Sequence, residues 1–356
     1  MQKIFRVNNF DLIRLLAALQ VAITHAIPWL GIEYTNSVTF LILSFFPGVP
    51  IFFFVSGFLI SKSYENKFSL GEYVKNRLLR IFPALIICIF ISIIGVYLTG
   101  YVTSKGFSIG ETMLWILSRI FFIQSYANKF EQQFTANSLN PSLWTIPIEI
   151  QFYALVPIIY YLLSLSKSSK KNLNLIIMIF VFMVFHIIRF NFDNQNLDNL
   201  FFKLFRISFA PWLWMFLVGV FFQKNFRMLH QLLSGKVLYC FHIYILTSYF
   251  LVVQLGWRID NGINPISFVN LSILIFSFAY SFTTLSEKIL NRNDISYGIY
   301  IYHMPIVNIL IYCGYTAKIA FMIIAILISI LLAVLSWIFI EKNSLKLKGH
   351  PLRTVQ

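Results

Sequence analysis

Two residues that could do chemistry lie in the first apolar segment of the chain. Arg14 and His25 are eleven residues apart there. In a helix this spacing is about 20° beyond three full turns, so the two side chains share one face with a rise of about 16 Å between them. Ionisable residues inside a membrane span are costly and are functional candidates by default. We therefore predict that Arg14 and His25 serve one site at two depths.

Glu149 is the second candidate, because it is the one of 13 carboxylates that lies well inside a predicted span. Its expected depth, about 9 Å below the outer end of its helix, is similar to that of His25. A histidine beside a carboxylate in a medium of low dielectric is an oriented, basic imidazole, suited to general-base catalysis. We predict that Glu149 orients His25, with a structural ion pair or a protonated, packed Glu149 as the alternative.

Cations precede the third apolar run. Lys75, Arg77 and Arg80 fall within six residues at a helix entry. Such a cluster can bind phosphate, although the same spacing also serves as a topology signal.

His303 is expected about 10 Å deep in its own span, at the level of Arg14 rather than of His25.

The composition excludes several classes of protein. Of 356 residues, 58% are hydrophobic and 12% are charged, against about 25% charged residues in a soluble domain. A soluble enzyme, a disordered chain and a secreted disulfide scaffold are therefore excluded. The net charge of +15 lies in short connections between apolar runs, which is the positive-inside pattern and not a nucleic-acid surface. Cys88, Cys240 and Cys313 are isolated in apolar runs, so we predict no disulfide and no metal site.

The apolar runs predict an all-α integral membrane protein. A span needs about 20 residues, and ten runs approach this length: 10–30, 39–61, 79–98, 144–165, 173–190, 207–222, 237–255, 267–286, 296–314 and 319–340. If a shorter run at 111–126 does not cross, and both termini are cytoplasmic, 19 Lys and Arg residues lie inside and 8 outside. The positive-inside rule favours this arrangement. We expect about ten transmembrane helices, a re-entrant or interfacial segment near 111–126, one domain over 1–345 and a short basic cytoplasmic tail over 346–356.

In order and spacing, these residues resemble the membrane-bound acyltransferase 3 family of sugar and polysaccharide O-acyltransferases. The similarity covers nearly the whole chain and is carried by Phe10–Arg14 with His25, Gly48–Ile60, Arg77–Ala84, Ser142–Trp144 with Glu149, Ser296–Tyr300 with His303, and Glu341–Lys342. Pro50 is a departure, because family members often have Asp there, and this leaves the acidic role to Glu149. The chain resembles the stand-alone form of the family, without an added extracytoplasmic domain.

The resemblance implies transfer of an acyl group from acyl-CoA, most often acetyl-CoA, to a sugar hydroxyl. On this interpretation His25, with Glu149, deprotonates the acceptor hydroxyl or carries the acetyl group transiently. The residues expected to bind the donor are Arg14, Lys75, Arg77, Arg80, His303 and Tyr297. The expected acceptor is a cell-surface or lipid-linked glycan of the O-antigen, capsule or exopolysaccharide type, and the expected location is the bacterial cytoplasmic (inner) membrane, among membrane lipids.

A transporter is the competing class of function. It would export a glycan or a small solute and use Arg14, His25 and Glu149 as a proton relay. The sequence contains no internal inverted repeat of the kind that many transporters have, and a transporter has no use for CoA. Among enzymes, a different donor such as succinyl-CoA, a cytoplasmic acceptor and a two-step transfer stay open.

Overall fold

A computed structural model of the chain describes residues 5, 7–33, 38–66, 69–122, 131, 134, 138–163, 165, 170–193, 200–291 and 293–348. All regular secondary structure in these residues is helical. The α-helices are α1 (Phe10–Trp29), α2 (Val38–Ser44), α3 (Gly48–Glu65), α4 (Leu70–Leu98), α5 (Tyr101–Lys105), α6 (Ile109–Ile120), α7 (Thr145–Leu162), α8 (Lys171–Asp193), α9 (Leu200–Ile207), α10 (Leu213–Lys224), α11 (Phe226–Leu233), α12 (Val237–Tyr249), α13 (Pro265–Ser281), α14 (Leu285–Leu290), α15 (Ser296–Tyr312), α16 (Ile319–Ser336) and α17 (Lys342–Lys346). A 3₁₀ turn (Pro141–Trp144) precedes α7, and π-helical turns follow α12 (Phe250–Gln254) and α16 (Trp337–Glu341).

The helices agree with a multi-pass membrane protein, but the expected number of ten spans is not confirmed. Within the described ranges, seven helical segments are long and apolar enough to cross a membrane: Phe10–Trp29, Val38–Glu65, Leu70–Leu98, Pro141–Leu162, Lys171–Asn191, Val237–Gln254 and Ile319–Lys346. The runs predicted at 207–222, 267–286 and 296–314 form the shorter helices α10, α13 and α15. These three helices have 12, 17 and 17 residues.

The segment predicted near 111–126 forms the short helix α6, and its residues 123–126 lie outside the described part of the chain. With 12 residues, α6 is about 18 Å long, against about 30 Å of hydrocarbon in a bilayer. A capping box between Ser108 and Glu111 fixes its start. Its length agrees with a segment that does not cross the membrane.

Helices α3 and α10 cross with their backbones in contact, and glycine makes this possible. A Cβ added to Gly57 would overlap the carbonyl oxygen of Phe216, and one added to Gly219 would overlap that of Phe54. Small residues allow this close approach between helices in a membrane protein. The crossing fixes the position of α3, from which Ser56 donates a 3.1 Å hydrogen bond to Glu149 of α7.

Polar contacts fix the rotation of α1, which carries Arg14 and His25. At its start, the backbone N–H of Asn9 donates to the carbonyl of Ala279 at 3.0 Å, and the side chain of Asn9 donates to that of Phe282 at 2.7 Å. Farther along, Gln20 accepts a 2.8 Å hydrogen bond from the backbone N–H of Gly48. Because α1 is held to α13 and α3 at two levels, Arg14 and His25 face inward in a defined direction.

Candidate functional site

A cavity of about 350 Å³ opens between α1, α3, α4, α7 and α15. We call it the basic cavity, because four cations line one end, the basic end: Arg14, Arg77, Arg80 and Lys348. Its far end is lined by Phe52, Thr145 and Tyr300. Along α3 the lining extends from Val49 to Ile60, a rise of about 16 Å, so the cavity is deep enough for an elongated ligand.

Asp294 organises the basic end. Its Oδ2 lies 2.7 Å from Nη1 of Arg14 and 2.5 Å from Nη2 of Arg80, and its Oδ1 accepts a 2.5 Å hydrogen bond from Ser296. Burial alone would raise the pKa of Asp294, but the charges of Arg14 and Arg80 hold that pKa well below its usual range. The carboxylate is therefore ionised and fixes both guanidiniums, and the three groups together keep one positive charge.

Sequence reasoning missed Asp294, because this residue lies two positions before the predicted span at 296–314. A carboxylate outside a span faces water and is not costly there, so its position alone does not mark it as a functional candidate. One signal was available in the sequence. Asp294 comes just before a predicted span that begins on the side of the membrane near which Arg14 lies, so the start of that helix can bring the carboxylate to the level of Arg14.

The side chains of Arg77 and Lys75 point to different sides of α4. Arg77 lines the basic cavity, donates a 3.3 Å hydrogen bond to Ser63 and lies over the rings of Tyr73 and Tyr153 at 5.9 and 5.6 Å. Lys75 is exposed, and the cavity lining does not include it. On a helix, residues three apart share a face and residues two apart do not, so α4 presents Arg77 and Arg80 to the cavity and turns Lys75 away. The prediction that Lys75 belongs to this cluster is corrected.

Glu149 lies on the cavity wall and not beside His25. Its Oε1 accepts a 3.1 Å hydrogen bond from Ser56 and a second, short one from the hydroxyl of Tyr153. His25 instead has Nδ1 at 3.1 Å from Nε2 of His303. The predicted orientation of His25 by Glu149 is therefore wrong in this structure, and a second histidine takes that place.

The predicted depth of His303, at the level of Arg14, is also wrong, and the position of Asp294 explains why. Asp294 meets Arg14, so α15 enters the bundle at the level of Arg14. His303 follows nine residues later, a rise of about 13 Å. His25 is about 16 Å beyond Arg14 on α1, so the two histidines reach nearly the same level and touch.

Hydrogen bonds define the tautomers of the histidine pair. Nδ1 of His303 lies 3.2 Å from the carbonyl oxygen of Ile299, a contact that only an N–H can make favourable. Nε2 of His303 is then an acceptor, with Ser142 Oγ and His25 Nδ1 both at 3.1 Å. His25 therefore donates through Nδ1–H and keeps its basic lone pair on Nε2. This is the arrangement of a general base held by a neighbour.

Tyr300 joins the cavity to the histidine pair. Its hydroxyl lies 2.7 Å from Oγ1 of Thr145 and donates at 2.9 Å to the carbonyl of Ser142. The rings of Tyr300 and His303 have centroids 6.1 Å apart. The pair therefore lies about one helical turn beyond the far end of the cavity.

Tyr297, predicted in the donor channel, does line the cavity and donates to the carbonyl of Ile81 at 3.1 Å.

Known proteins resemble this chain over most of its length. The nodulation protein 10 of Rhizobium leguminosarum bv. viciae is 28% identical over 96% of this chain and 94% of its own length. The O-acetyl transferase of Shigella phage Sf6 is 26% identical over 95% and 96% of the two chains. The O-acetyltransferase OatA of Staphylococcus aureus (strain NCTC 8325 / PS 47) is 26% identical over 83% of this chain and 52% of its own length. No solved structure matches.

A family model supplies the assignment. The acyltransferase domain model of acyltransferase 3 matches residues 7–340. This match includes both histidines, the cations on α1 and α4, Glu149 and Asp294. Because it spans nearly the whole chain, the protein belongs to the acyltransferase 3 family.

Proposed function

We propose that this protein is a membrane O-acetyltransferase that moves an acetyl group from cytoplasmic acetyl-CoA to a hydroxyl of a cell-surface or lipid-linked glycan. The observation that carries the proposal is the histidine pair, with a basic nitrogen on His25, one turn beyond a deep cavity with a cationic end. The family and two relatives named as O-acetyltransferases support the chemistry. The cellular location that fits this function is the bacterial inner membrane.

The basic cavity suits a long donor that has phosphates at one end and a thioester at the other. Guanidinium groups bind phosphate through paired, charge-assisted hydrogen bonds, and Arg14, Arg77 and Arg80 stand at one end. The cavity is at the lower limit of the ~300–1,000 Å³ usual for ligand pockets. In our proposal it therefore takes the pantetheine arm, while the nucleotide lies at the basic end.

In the proposed reaction, His25 acts as general base. Its Nε2 takes the proton of the acceptor hydroxyl, and the oxygen attacks the carbonyl carbon of the thioester. The C–S bond breaks, CoA leaves as the thiolate, and the proton on His25 neutralises it. His303 holds the Nδ1–H of His25 and stabilises the imidazolium that forms. Transfer through an acetyl group on His25 stays the alternative.

The first experiment measures transfer of labelled acetyl from acetyl-CoA to host glycan in membranes that contain the full chain. A base-labile ester that requires intact His25 supports the proposal. Absence of label from a folded protein, with no CoA binding, would instead favour the transporter alternative. Label from succinyl-CoA alone would mean that the protein is an acyltransferase with succinyl-CoA, and not acetyl-CoA, as its donor.

Arg14→Ala is expected to raise the KM for acetyl-CoA about tenfold with little change in kcat, because it removes one phosphate partner far from the reacting atoms. The variant also leaves Asp294 with one guanidinium partner fewer, so its thermal unfolding must be compared with that of wild type. Steady-state kinetics at varied donor concentration measure the effect. An unchanged KM would mean that Arg14 holds Asp294 in place and does not bind the donor.

Glu149→Gln is expected to have a smaller effect than loss of His25. Gln keeps an oxygen that Ser56 and Tyr153 can reach and loses only the charge, and Glu149 lines the cavity that in our proposal takes the donor arm. We expect kcat/KM to fall about tenfold, mainly through KM. A loss in kcat as large as that of His25→Ala would return Glu149 to the acid–base step.

A further inference from the structure

We propose that Lys348, two residues after the end of α17, is a donor-binding residue. This inference rests on the proposed function, since it assumes a phosphorylated donor. The sequence places Lys348 in a basic tail (346–356), of which residues 349–356 lie outside the described part of the chain. In the structure Lys348 lines the basic cavity together with Leu345.

The path of the chain explains this placement. After α16, the π-helical turn Trp337–Glu341 is held against the loop before α15, where Nε1 of Trp337 donates to Asn293 at 2.8 Å. Glu341 is buried and its carboxylate lies 4.0 Å from Arg80. With the turn anchored at both residues, α17 runs back beside α4 and delivers Lys348 to the basic end.

The neighbouring lysines do not share this position. Lys342 and Lys346 are exposed. Nζ of Lys346 is 3.0 Å from Oδ1 of Asn343, one turn back on its own helix. The half-buried Lys348 therefore differs from Lys342 and Lys346 by its contact with the cavity, and Lys346 offers a control of the same type two residues away.

The charges around Lys348 favour a polyanionic ligand. Burial and the positive charges of Arg77, Arg80 and Arg14 together lower the pKa of Lys348 to about 7, and the opposing effect of Asp294 is smaller. Phosphate groups at the basic end would reverse this balance. Asp294 offsets only one of the three arginine charges, so a fourth cation at this end suits a ligand with several phosphates.

The position also indicates which part of the donor Lys348 meets. Lys348 lies at the basic end, opposite Thr145 and Tyr300, beyond which the histidine pair lies. Its partner is therefore a phosphate of the nucleotide end and not the thioester. The predicted effect of removing the charge falls on donor affinity and not on the rate of the chemical step.

The test measures CoA binding to the full chain in detergent by isothermal titration calorimetry. We expect Lys348→Met to bind CoA about tenfold more weakly, the loss of one charge-assisted hydrogen bond, and Lys346→Met to bind as wild type does. Pantetheine, which has no phosphate, should bind equally to all three. Equal CoA affinity of wild type and Lys348→Met would overturn the inference, whereas failure of wild type to bind CoA would overturn the proposed donor itself.

Proton uptake separates a contact with phosphate from a structural role. With a pKa of about 7, Lys348 is expected to be largely neutral at pH 8. Binding of CoA should then draw a proton from the buffer, seen as an enthalpy that depends on the buffer's ionisation. Lys348→Arg should keep the affinity and lose the proton uptake, because arginine stays charged. Uptake that persists in this variant would assign the proton to another group at the cavity, namely Asp11, Glu149, Tyr153, Asp294, Tyr297 or Glu341.

Discussion

His25→Ala is expected to lower kcat for acetyl transfer about 10³-fold, within the range that a positioned general base contributes. The structure gives the reason: Nε2 of His303 accepts the hydrogen bond from His25, whereas Nε2 of His25 takes no part in this contact, because His25 uses Nδ1 for it. KM for acetyl-CoA should change little, since the cations of the basic end are untouched. Transfer of labelled acetyl, measured on purified protein at saturating donor, checks the prediction.

His242→Ala provides the matched control. His242 is exposed, and its Nδ1 lies 2.7 Å from the carbonyl of Leu238 on its own helix. It should transfer acetyl at the wild-type rate. Both variants must elute as folded protein in size-exclusion chromatography. Full activity of a folded His25→Ala protein would remove His25 from the chemistry.

His303→Leu is expected to lower kcat about 10²-fold while His25 is intact. Without an acceptor at the position of Nε2, the proton of His25 is no longer held on Nδ1, and part of the population carries it on the reactive nitrogen. Loss of a residue that fixes a tautomer is known to be severe even when the base survives. The pH profile of kcat for His303→Leu should also differ from that of wild type, because the imidazolium of His25 loses the neighbour that stabilises it.

His303→Gln distinguishes this role from simple packing. Its amide oxygen can accept the Nδ1–H of His25, so we expect partial recovery of kcat relative to His303→Leu. His303 is buried, at 1% exposure, so both variants need a measured unfolding temperature. If Leu and Gln reduce kcat equally at equal stability, His303 does not act through the proton of His25.

The residue types and the spacing along single helices were readable from the sequence. Arg14 and His25 share a face because eleven residues nearly complete three turns. Arg77 and Arg80 share a face for the corresponding reason, and that same geometry turns Lys75 away. The class of protein also follows from the sequence, since a chain with 12% charged residues cannot cover a soluble surface. The order of the motifs indicated the family that the comparison with residues 7–340 establishes.

The partners of these residues were decided by the tertiary structure. Depth estimates counted from span ends placed His25 beside Glu149, but α15 enters at the level where Asp294 meets Arg14 and so brings His303 to His25. Lys348 likewise reaches the cavity through an anchored π-helical turn that no periodicity indicates. The helical period determines the face on which a residue lies. The level at which each helix enters, which depends on contacts between residues distant in the chain, determines what that face meets.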